Sequence, residues 1–408
     1  MSGIIIVGGG QAAVSAAAKL KALHNSCPII IIGEEAVLPY QRPPLSKDYL
    51  LGRAPFEQLL LRPAQWYSDN NIEVLTSTKV VALDRSRRGV TLSTGESRSY
   101  EKLILATGAT PRPWPAALGG NLSGIHILRS KADVDSVASQ LGRGRRLLVV
   151  GGGYIGLEVA AVATSQGVDV TLVEADTRIL NRVASRATAE FIRRLHETNG
   201  ARIRESVGVE SFAGRDGRVA QARLTDSTSL DIDFAIVGIG VTPNIQLARD
   251  AGLNVGNGIL VDSSGRTSDP NIFAVGDCAA FPYRGETIRL ECVQNAIEQA
   301  EVSAENISGR TSVYDPVPWF WSDQYQTKLQ IAGLSRDHTD TVVRHDHTSG
   351  QFSVWYFAGE RFQAVDAIND SRAFVSGRKL LERGLSPPRE VLSDLSTDLV
   401  NYVRTAIR

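Results

Sequence analysis

A glycine-rich turn between a strand and a helix occurs twice in this chain, and the repetition limits what the chain can fold into. The apolar runs at residues 4–7 and 147–150 predict buried parallel strands, and the small apolar residues after each turn predict helices. Between strand and helix lie residues 8–13 and 151–156, which follow the pattern Gly-x-Gly-x-x-Gly with alanine at the last position of the first copy. Each copy therefore predicts the strand–turn–helix unit that binds a dinucleotide.

The residues of these turns have a specific task. Glycine permits a tight turn and lets the backbone approach a pyrophosphate, whose negative charge then lies at the helix N-terminus. Two copies predict two dinucleotides in one chain, and therefore electron transfer between them. The residues assigned to the turns are Gly8, Gly10, Ala12 and Ala13 in the first copy, and Gly151, Gly153, Tyr154, Ile155 and Gly156 in the second.

An acidic residue follows the second strand of each unit. Glu34 and Glu35 come just after the apolar run 29–32, and Glu174 ends the run 168–173. A carboxylate at this place suits a hydrogen bond to a ribose hydroxyl, and it repels a 2′-phosphate. Glu174 therefore predicts NADH rather than NADPH at the second site. Arg178 lies nearby and is the cation that could weaken this preference, but four residues past the strand we expect a solvated surface charge.

Length, charge and cysteine content exclude several classes of protein. A chain of 408 residues is longer than one core usually supports, so two or three domains are expected. The 44 basic and 44 acidic residues balance, which argues against nucleic acid as the main ligand. The three cysteines have no metal-ligand spacing, and no apolar stretch approaches the roughly 20 residues that span a bilayer. The first strand begins at once and leaves no room for a signal peptide, so a cytoplasmic protein is expected. The cysteine spacing predicts no metal site.

The rest of the first unit carries further candidate residues. Residues 39–47 contain three prolines, which predict a rigid loop without regular helix, carrying Arg42 and Lys47 toward the first site. Two segments with alternating apolar residues, 80–83 and 89–92, predict a small antiparallel insertion. Val80 is the first residue of this insertion. A buried strand at 102–109 ends in Ala106, Thr107 and Gly108, and the proline-rich residues 111–115 predict an interdomain linker.

Beyond the second unit the pattern changes. That unit ends in a strand at 236–240, which includes Gly240, and another strand at 272–277 ends in Gly276 and Asp277. Asp277 is expected to meet a ligand at the carboxyl edge of the sheet; a cap on the helix predicted at 293–306 is the alternative, and the two roles are compatible. A third domain is predicted from residue 319, with strands at 327–333, 341–344 and 352–357 and helices at 371–382 and 394–404.

Taken together, these motifs resemble the NADH-dependent ferredoxin reductases of bacterial P450 and ring-hydroxylating oxygenase systems. The resemblance covers the whole chain and is sharpest at residues 39–47, 151–158, 276–277 and 319–324. It implies an α/β fold with two Rossmann-like dinucleotide-binding domains in three-layer ββα arrangement and an α+β C-terminal domain. The implied FAD-binding domain comprises residues 1–111 and 243–318, the NAD-binding domain 112–242, and the C-terminal interface domain 319–408.

The resemblance also implies roles for individual residues. The first turn would bind FAD and the second NADH, with Lys47 beside the flavin N5 and Glu158 paired with that lysine as the two catalytic residues. The implied partner is a [2Fe–2S] ferredoxin that docks transiently on a monomer or homodimer. From their chemistry, Trp319 and Trp321 are candidates for an aromatic contact between flavin and ferredoxin, and Lys328 and Arg53 for contacts with its acidic side chains. The other FAD contacts carried over from the family are Glu34, Glu35, Arg42, Val80, Arg129, Asp277 and Val293. Further residues predicted to bind a cofactor are Ala106, Thr107, Gly108, Gly240, Gly276 and Trp321.

The segment at which disulfide reductases of this fold carry redox cysteines has none in this chain. Disulfide reductases of this fold carry a cysteine pair near the flavin, whereas residues 43–47 of this chain read Pro-Pro-Leu-Ser-Lys. Without a redox centre in the chain, the electrons are expected to pass to another protein. Three alternatives stay open at this point: a rubredoxin reductase, a monodehydroascorbate reductase, and an NADH-sensing flavoprotein like apoptosis-inducing factor.

Overall fold

The computed structural model describes residues 3–407, which form two compact units. Unit 1 comprises the chain up to Arg42, Pro55–Thr110 and Val241–Pro316, and unit 2 comprises Pro43–Ala54, Pro111–Gly240 and the chain from Val317 onward. Unit 2 thus contains most of both the second dinucleotide domain and the C-terminal domain predicted from the sequence. Residues 1, 2 and 408, which include the predicted start of the FAD-binding domain and the predicted end of the C-terminal domain, lie outside the described residues.

The strands are short, and their bounds are as follows: β1 Gly3–Val7, β2 Ile29–Ile32, β3 Ile72–Leu75, β4 Val80–Asp84, β5 Gly89–Leu92, β6 Ser97–Leu105, β7 Ala109–Pro111, β8 Ile125–His126, β9 Arg146–Val150, β10 Asp169–Glu174, β11 Arg202–Glu205, β12 Val209–Arg215, β13 Arg218–Leu224, β14 Ser229–Asp231, β15 Phe234–Val237, β16 Val241–Pro243, β17 Val255–Gly256, β18 Gly258–Leu260, β19 Ile272–Ala274, β20 Ala279–Tyr283, β21 Glu286–Ile288, β22 Trp319–Gln324, β23 Thr327–Gly333, β24 Asp340–Asp346, β25 Gln351–Ala358 and β26 Arg361–Ile368.

The helices are α1 Gln11–Ala22, α2 Ala64–Asp69, α3 Lys131–Ala138, α4 Tyr154–Ser165, α5 Arg186–Thr198, α6 Gln246–Asp250, α7 Val293–Ile307, α8 Ser371–Glu382, α9 Arg389–Ser393 and α10 Leu399–Ala406. Single 3-10 turns occur at Pro43–Ser46, Phe56–Leu59, Ala116–Leu118 and Gly276–Cys278. Among residues 3–407, no helix combines the length and the apolar character needed to cross a membrane.

Unit 1 is built on a sheet with strand order β3-β2-β1-β6-β5-β4, with β19 paired to β6. Strands β1, β2, β3, β6 and β19 are parallel, while the first residues of β6 pair antiparallel with β5. This second pairing explains why β6 begins at Ser97 rather than at residue 102, as the apolar run predicted. The antiparallel insertion predicted at 80–83 and 89–92 is confirmed by the pairing of β4 with β5.

The core of unit 1 places a layer of small side chains beside the parallel strands. Ala12, Ala13, Ala16 and Ala17 of α1 are buried in the same cluster as Ala296, Ala300 and Ala304 of α7. Side chains this small let the two helix backbones approach each other closely. The close packing fixes α1, and with it the first glycine turn, at the carboxyl end of β1.

Unit 2 contains three sheets. The parallel sheet has the order β11-β10-β9-β15-β8, and a separate antiparallel sheet has the order β12-β13-β14. Strand β8 and the whole β12–β14 sheet were not predicted; β8 and β14 are only two and three residues long. The strand expected at 236–240 is β15, shifted to Phe234–Val237. The predicted linker 111–115 is packed rather than loose, since the ring of Trp114 meets that of Phe212 edge-on at 5.4 Å.

The C-terminal part of unit 2 is an antiparallel sheet with the order β22-β23-β26-β25-β24. Helices α8 and α10 contribute Phe374, Leu380 and Val403 to the apolar cluster on this sheet. The strand expected at 327–333 and the helix expected at 371–382 are confirmed as β23 and α8. The helix expected at 394–404 is wrong in its bounds: α9 ends at Ser393 and α10 begins at Leu399, with the Asp398 side chain capping its N-terminus.

Candidate functional site

The first glycine turn lies at the carboxyl end of β1. Gly8 has φ +123°, and a Cβ there would lie 2.1 Å from the carbonyl oxygen of Ala106, so the position requires glycine. Helix α1 begins after Gly10, where a Cβ would meet no atom within 4 Å. Ala12 and Ala13 are buried beneath the turn. The turn therefore needs glycine for its shape at Gly8 and leaves open space in front of the helix at Gly10.

The second glycine turn repeats this geometry at the carboxyl end of β9. Gly151 has φ +107°, and a Cβ there would lie 2.4 Å from the carbonyl oxygen of Gly238. A Cβ at Gly153 would again meet no atom within 4 Å, and α4 begins directly after it. The copies differ at the third position, because a Cβ at Gly156 would lie 2.1 Å from the carbonyl oxygen of Gly151. Ala13 occupies the matching place in the first turn.

Both turns fit a dinucleotide pyrophosphate. The N-cap residues Gly10 and Gly153 have no side chain to accept hydrogen bonds from the first N–H groups of α1 and α4. Neither helix carries an acidic side chain in its first turn. Unpaired N–H groups and the positive end of the helix dipole are what a phosphate binds at such a site. The residues present thus suit one dinucleotide at each turn.

Glu174 is fixed against the second turn. Its carboxylate accepts hydrogen bonds from the backbone N–H groups of Gly152 at 2.7 Å and Asp176 at 2.8 Å. Arg178 does not carry a solvated charge, and that expectation is wrong. Its guanidinium donates to the carbonyl oxygens of Ala184 at 2.8 Å and of Asn181 and Ser185 at 3.3 Å. The carbonyl oxygen of Ser185 also accepts the N–H of Ala189 at 3.0 Å, so Arg178 is an additional donor there and the main side-chain donor to the loop before α5.

The acidic residues of the first unit occupy different places from Glu174. In the strand registers, Val7 pairs with Ile32 and Val150 pairs with Val173, so Gly33 holds the place that matches Glu174. Glu35 accepts hydrogen bonds from the Tyr40 hydroxyl at 2.5 Å and from Arg42 at 2.6 Å. Glu34 is exposed and lies 3.3 Å from the ammonium group of Lys79. Arg42 and Glu35 are thus brought together, while Glu34 pairs with Lys79 instead.

Several other predicted residues meet at the carboxyl edge of the unit 1 sheet. Strands β1, β6 and β19 are parallel neighbours, so the segments after them lie side by side. Ala106, Thr107 and Gly108 follow β6, and the Thr107 hydroxyl donates to the carbonyl oxygen of Asn244 at 2.7 Å. Gly276 follows β19, and its N–H donates to the Gln299 side chain at 2.8 Å. The first glycine turn, residues 106–108 and residues 276–277 therefore all lie at this edge of the sheet.

Asp277 lies in the 3-10 turn Gly276–Cys278, and it does not cap the next helix. The N-cap of α7 is Cys292, whose sulfur accepts a hydrogen bond from the N–H of Asn295. The capping alternative for Asp277 is therefore wrong, because β20 and β21 intervene between the turn and the helix. The backbone carbonyl of Asp277 accepts a hydrogen bond from Arg289 at 3.0 Å.

The remaining predicted contacts are distributed over both units. In unit 1, Val80 is buried at the start of β4, and Val293 is the first residue of α7. In unit 2, Gly240 follows β15 with φ +101°, and a Cβ there would meet open space. The N–H of Arg129 donates to Asp133, the residue that completes the cap of α3.

Aromatic side chains of unit 2 divide between the two faces of β22. Tyr154 of the second turn packs against Phe320, with ring centroids 4.2 Å apart. Trp319 and Trp321 lie on the opposite face, 5.5 Å apart, and Trp319 also meets Phe374 of α8. Trp319 thus packs in the C-terminal core. Ile155, by contrast, is 45 % exposed at the start of α4.

An ion pair with a buried carboxylate joins the proline-rich segment to α4. The ammonium group of Lys47 lies 2.7 Å from Oε2 of Glu158, which is only 2 % exposed. The hydroxyl of Ser46 donates to the same oxygen at 2.5 Å, and the hydroxyl of Ser322 donates to Oε1 at 2.7 Å. The carboxylate therefore has a partner on each oxygen, as a buried charge requires.

The segment that carries Lys47 contains a 3-10 turn, where a loop without helix was expected. Pro43 and Pro44 occupy its first two positions. The first N–H groups of a helical turn have no partner within the turn, so proline loses nothing there. The turn ends at Ser46, which places Ser46 and Lys47 together at Glu158.

Comparison with known proteins assigns the family. Residues 2–300 match the family described as pyridine nucleotide-disulphide oxidoreductase, and residues 319–403 match a domain described as reductase C-terminal. The chain belongs to the pyridine nucleotide-disulphide oxidoreductase family. Membership implies FAD and NAD(P)H as the cofactors, in agreement with two dinucleotide turns.

Full-length relatives narrow the comparison within this family. The chain is 42 % identical over 398 residues to rhodocoxin reductase of Rhodococcus erythropolis, covering 97 % of this chain and 93 % of the relative. It is 41 % identical to the 5,5′-dehydrodivanillate O-demethylase ferredoxin reductase subunit of Sphingobium sp., covering 97 % of each. Its fold matches the crystal structure of the covalent putidaredoxin reductase–putidaredoxin complex with a TM-score of 0.95 and 39 % identity, over 99 % of this chain and 98 % of that one. The predicted α/β fold, with its antiparallel C-terminal sheet, is thereby confirmed.

The side chains that bond to Glu158, directly or through Ser322, were not predicted from the sequence. Ser46 belongs to the proline-rich segment 39–47, and Ser322 and Gln324 belong to residues 319–324, where the family resemblance is sharpest. None of the three was assigned a role. Residues two apart on a strand share a face. Recognising 319–324 as a strand would have placed Phe320, Ser322 and Gln324 on one side.

Proposed function

We propose that this protein is a flavoprotein reductase that takes hydride from NADH onto FAD and passes single electrons to a [2Fe–2S] ferredoxin serving a P450 or ring-hydroxylating oxygenase. The observation that carries the proposal is full-length similarity to reductases whose names specify rhodocoxin, a demethylase ferredoxin and putidaredoxin. The two glycine turns support one dinucleotide in each unit.

FAD is proposed at the first turn and NADH at the second. The carboxyl edge of β1, β6 and β19 brings the first turn together with Thr107 and Asp277, as the FAD assignment requires. At the second turn, Glu174 supplies the negative charge that disfavours a 2′-phosphate. Arg178 is the nearby cation that could have reversed this preference, and its guanidinium is held by backbone carbonyls.

Lys47 and Glu158 are proposed to act as a charge pair beside the bound flavin. When bound, FAD supplies a two-electron acceptor that can release electrons one at a time. Lys47 would stabilise negative charge that develops there. Glu158 holds the ammonium group in place, and the donors Ser46 and Ser322 fix the carboxylate in turn.

The electrons are proposed to leave the chain because its thiols are unsuited to relay them. Cys278 is fully buried and bonded to the carbonyl oxygens of Leu105 and Val275, and burial raises the pKa of its thiol. Burial also raises the pKa of the Cys292 thiol to about 11. Cys27 is free and contacts Glu101. A thiolate is the reactive form of cysteine, so raised pKa values disfavour disulfide chemistry.

The ferredoxin surface is proposed on unit 2. Arg53 and Lys328 are exposed cations there, suited to acidic side chains of a small electron carrier. Trp321 is half-buried and is the better candidate for an aromatic contact, since Trp319 packs against Phe374. The domain bounds given from the sequence, a cytoplasmic location and the monomer-or-dimer state remain proposals alongside this surface.

A reconstituted electron-transfer assay tests the proposal. NADH should bleach the flavin absorption band at about 450 nm. Cytochrome c reduction should then depend on an added [2Fe–2S] ferredoxin. Rubredoxin in place of ferredoxin should support much slower turnover. Faster turnover with rubredoxin or monodehydroascorbate would reject the ferredoxin assignment. Slow flavin reduction with a long-lived charge-transfer band would instead indicate an NADH-sensing flavoprotein.

A further inference from the structure

A line of hydrogen bonds leads from Glu158 into the interior of unit 2. Ser322 donates to Glu158 at 2.7 Å, and the Gln324 amide nitrogen donates to the Ser322 hydroxyl at 3.1 Å. Nε2 of His196 lies 2.8 Å from the amide oxygen of Gln324, and the Tyr325 hydroxyl lies 3.3 Å from Nδ1 of His196. The line thus connects α4, β22 and α5 through side chains alone.

Donor and acceptor matching gives this line one direction. Because the nitrogen of the Gln324 amide donates to Ser322, its oxygen accepts, which requires a hydrogen on Nε2 of His196. A neutral ring protonated at Nε2 leaves Nδ1 as an acceptor for the Tyr325 hydroxyl. Each donor in the line therefore points toward the carboxylate of Glu158, and each bond polarises the next.

Burial makes each bond in the line consequential. His196 and Ser322 are 0 % exposed and Gln324 is 1 % exposed, so water cannot replace a lost partner. Burial lowers the pKa of His196 by more than its hydrogen bond to Gln324 raises it. A neutral imidazole is the form that the direction of the line requires.

We propose that Ser322, Gln324 and His196 are positioning residues that orient the Glu158 carboxylate and, through it, the ammonium group of Lys47. Lys47 and Ser46 bond to Oε2, so Ser322 is the partner that stops the carboxylate from rotating about its last torsion. Gln324 and His196 keep the Ser322 hydroxyl directed at Oε1. The kinetic part of this inference rests on the proposed function of the Lys47–Glu158 pair.

The imidazole tautomer tests the line itself, independently of turnover. In the FAD-loaded protein with ¹⁵N-labelled histidine, long-range proton–nitrogen spectra should show His196 as the neutral Nε2–H form, assigned by its loss in His196→Asn. Ser322→Ala and Gln324→Met should shift these resonances. The control Ser353→Ala should not, because Ser353 is a buried serine of the same sheet that accepts from Trp355 instead. An Nδ1–H or charged ring, or resonances unmoved by both variants, would overturn the line.

Flavin reduction by NADH in a stopped-flow instrument tests the consequence. Ser322→Ala and Gln324→Met should slow hydride transfer about tenfold, equivalent to ~1.4 kcal/mol, with the Kd for NADH unchanged. Ser322→Thr, which restores the hydroxyl, should recover most of the rate. Gln363→Met is the matched control, since Gln363 is buried on β26 and donates to the Arg336 carbonyl oxygen.

The outcomes separate this inference from the proposed function. If wild-type protein is reduced by NADH and both variants react at the wild-type rate, the positioning role is overturned while the reductase function stands. If wild-type protein holds flavin that NADH cannot reduce, the reductase function fails and the tautomer spectra alone decide whether the line exists. Gln324→Met supplies the kinetic test should Ser322→Ala fail to fold, and bound FAD and thermal unfolding are measured for each variant.

Discussion

The carboxylate of Glu174 accepts a hydrogen bond from the N–H of Gly152 at 2.7 Å, which ties it to the second glycine turn. A negative charge held at this place disfavours the 2′-phosphate of NADPH. Glu174→Arg should therefore lower the ratio of kcat/KM for NADH over NADPH by at least about tenfold, and Glu174→Gln by less. Initial rates of flavin-dependent dye reduction with each nucleotide measure the ratio. An unchanged ratio in Glu174→Arg would remove the assigned role.

Arg178 provides the companion prediction. Its guanidinium is bonded to three backbone carbonyls before α5, so it is not available to a 2′-phosphate. Arg178→Ala should leave the nucleotide preference within about twofold and lower stability by ~1–3 kcal/mol, because the carbonyl oxygens of Asn181 and Ala184 lose their donor. Thermal unfolding and the same rate ratio measure the two effects. A marked shift of preference without loss of stability would show that Arg178 reads the nucleotide.

The open space at Gly10 and Gly153 predicts separable ligand defects. A Cβ at either residue would meet no protein atom within 4 Å, so both alanine variants should fold normally. Gly10→Ala should weaken FAD binding, and Gly153→Ala should raise the Kd for NADH at full FAD content, each about tenfold or more, because the backbone can no longer approach a pyrophosphate. Gly142→Ala is the control, since its Cβ would meet only Arg145 at an ordinary 3.8 Å. Equal affinities in all three variants would contradict both sites.

The elements that were predicted correctly are those whose conformation depends mainly on residues close together in the sequence. Both glycine turns were predictable because the positive φ of Gly8 and of Gly151 is a local requirement that favours glycine, although the clashes that a Cβ would make there are with distant carbonyl oxygens. Strand β23 and helix α8 were found at their observed bounds because their apolar periods are regular. The same reasoning misplaced the last helix, where the Asp398 cap rather than the apolar pattern sets the start.

What the sequence could not supply was contact between distant segments. The Lys47–Glu158 pair came from family resemblance, and the partners Ser46 and Ser322 lie 112 and 164 residues from Glu158. Arg178 was misjudged because its charge suggested solvent, whereas only the fold reveals the carbonyls that hold it. A polar residue two positions from another on a strand gives a usable signal, but only after the strand itself is recognised.

The Lys47–Glu158 pair predicts unequal effects of its two members. Lys47→Met removes the cation and leaves a buried carboxylate, so hydride transfer should slow by about 10- to 100-fold and the flavin potential should become more negative. Glu158→Gln should have a smaller effect on the potential, because the positive charge remains. Stopped-flow reduction and redox titration of both variants and of the double variant measure the coupling between them. Additive effects would show that the two residues act independently.

Asp366 predicts a stability change with pH that is unrelated to catalysis. It is fully buried, accepts hydrogen bonds from Tyr356 and from Thr188, and has one oxygen without a partner among the described residues. Burial raises the pKa of Asp366 to about 6, since these hydrogen bonds lower it by less. The folded protein therefore keeps a proton that the unfolded chain releases near pH ~4.

The sign of the effect follows from that difference. The carboxyl group contributes stability that is fully present below about pH 4 and is lost as the pH rises through about 6, with a total change of ~3 kcal/mol. Asp366→Asn should remove this dependence, so the wild-type midpoint minus that of the variant should fall between about pH 4 and pH 8. The exposed Asp250→Asn serves as the control in the same thermal unfolding series. A difference that stays constant with pH would mean that the pKa of Asp366 is the same in the folded and unfolded protein, which would contradict the effect of burial.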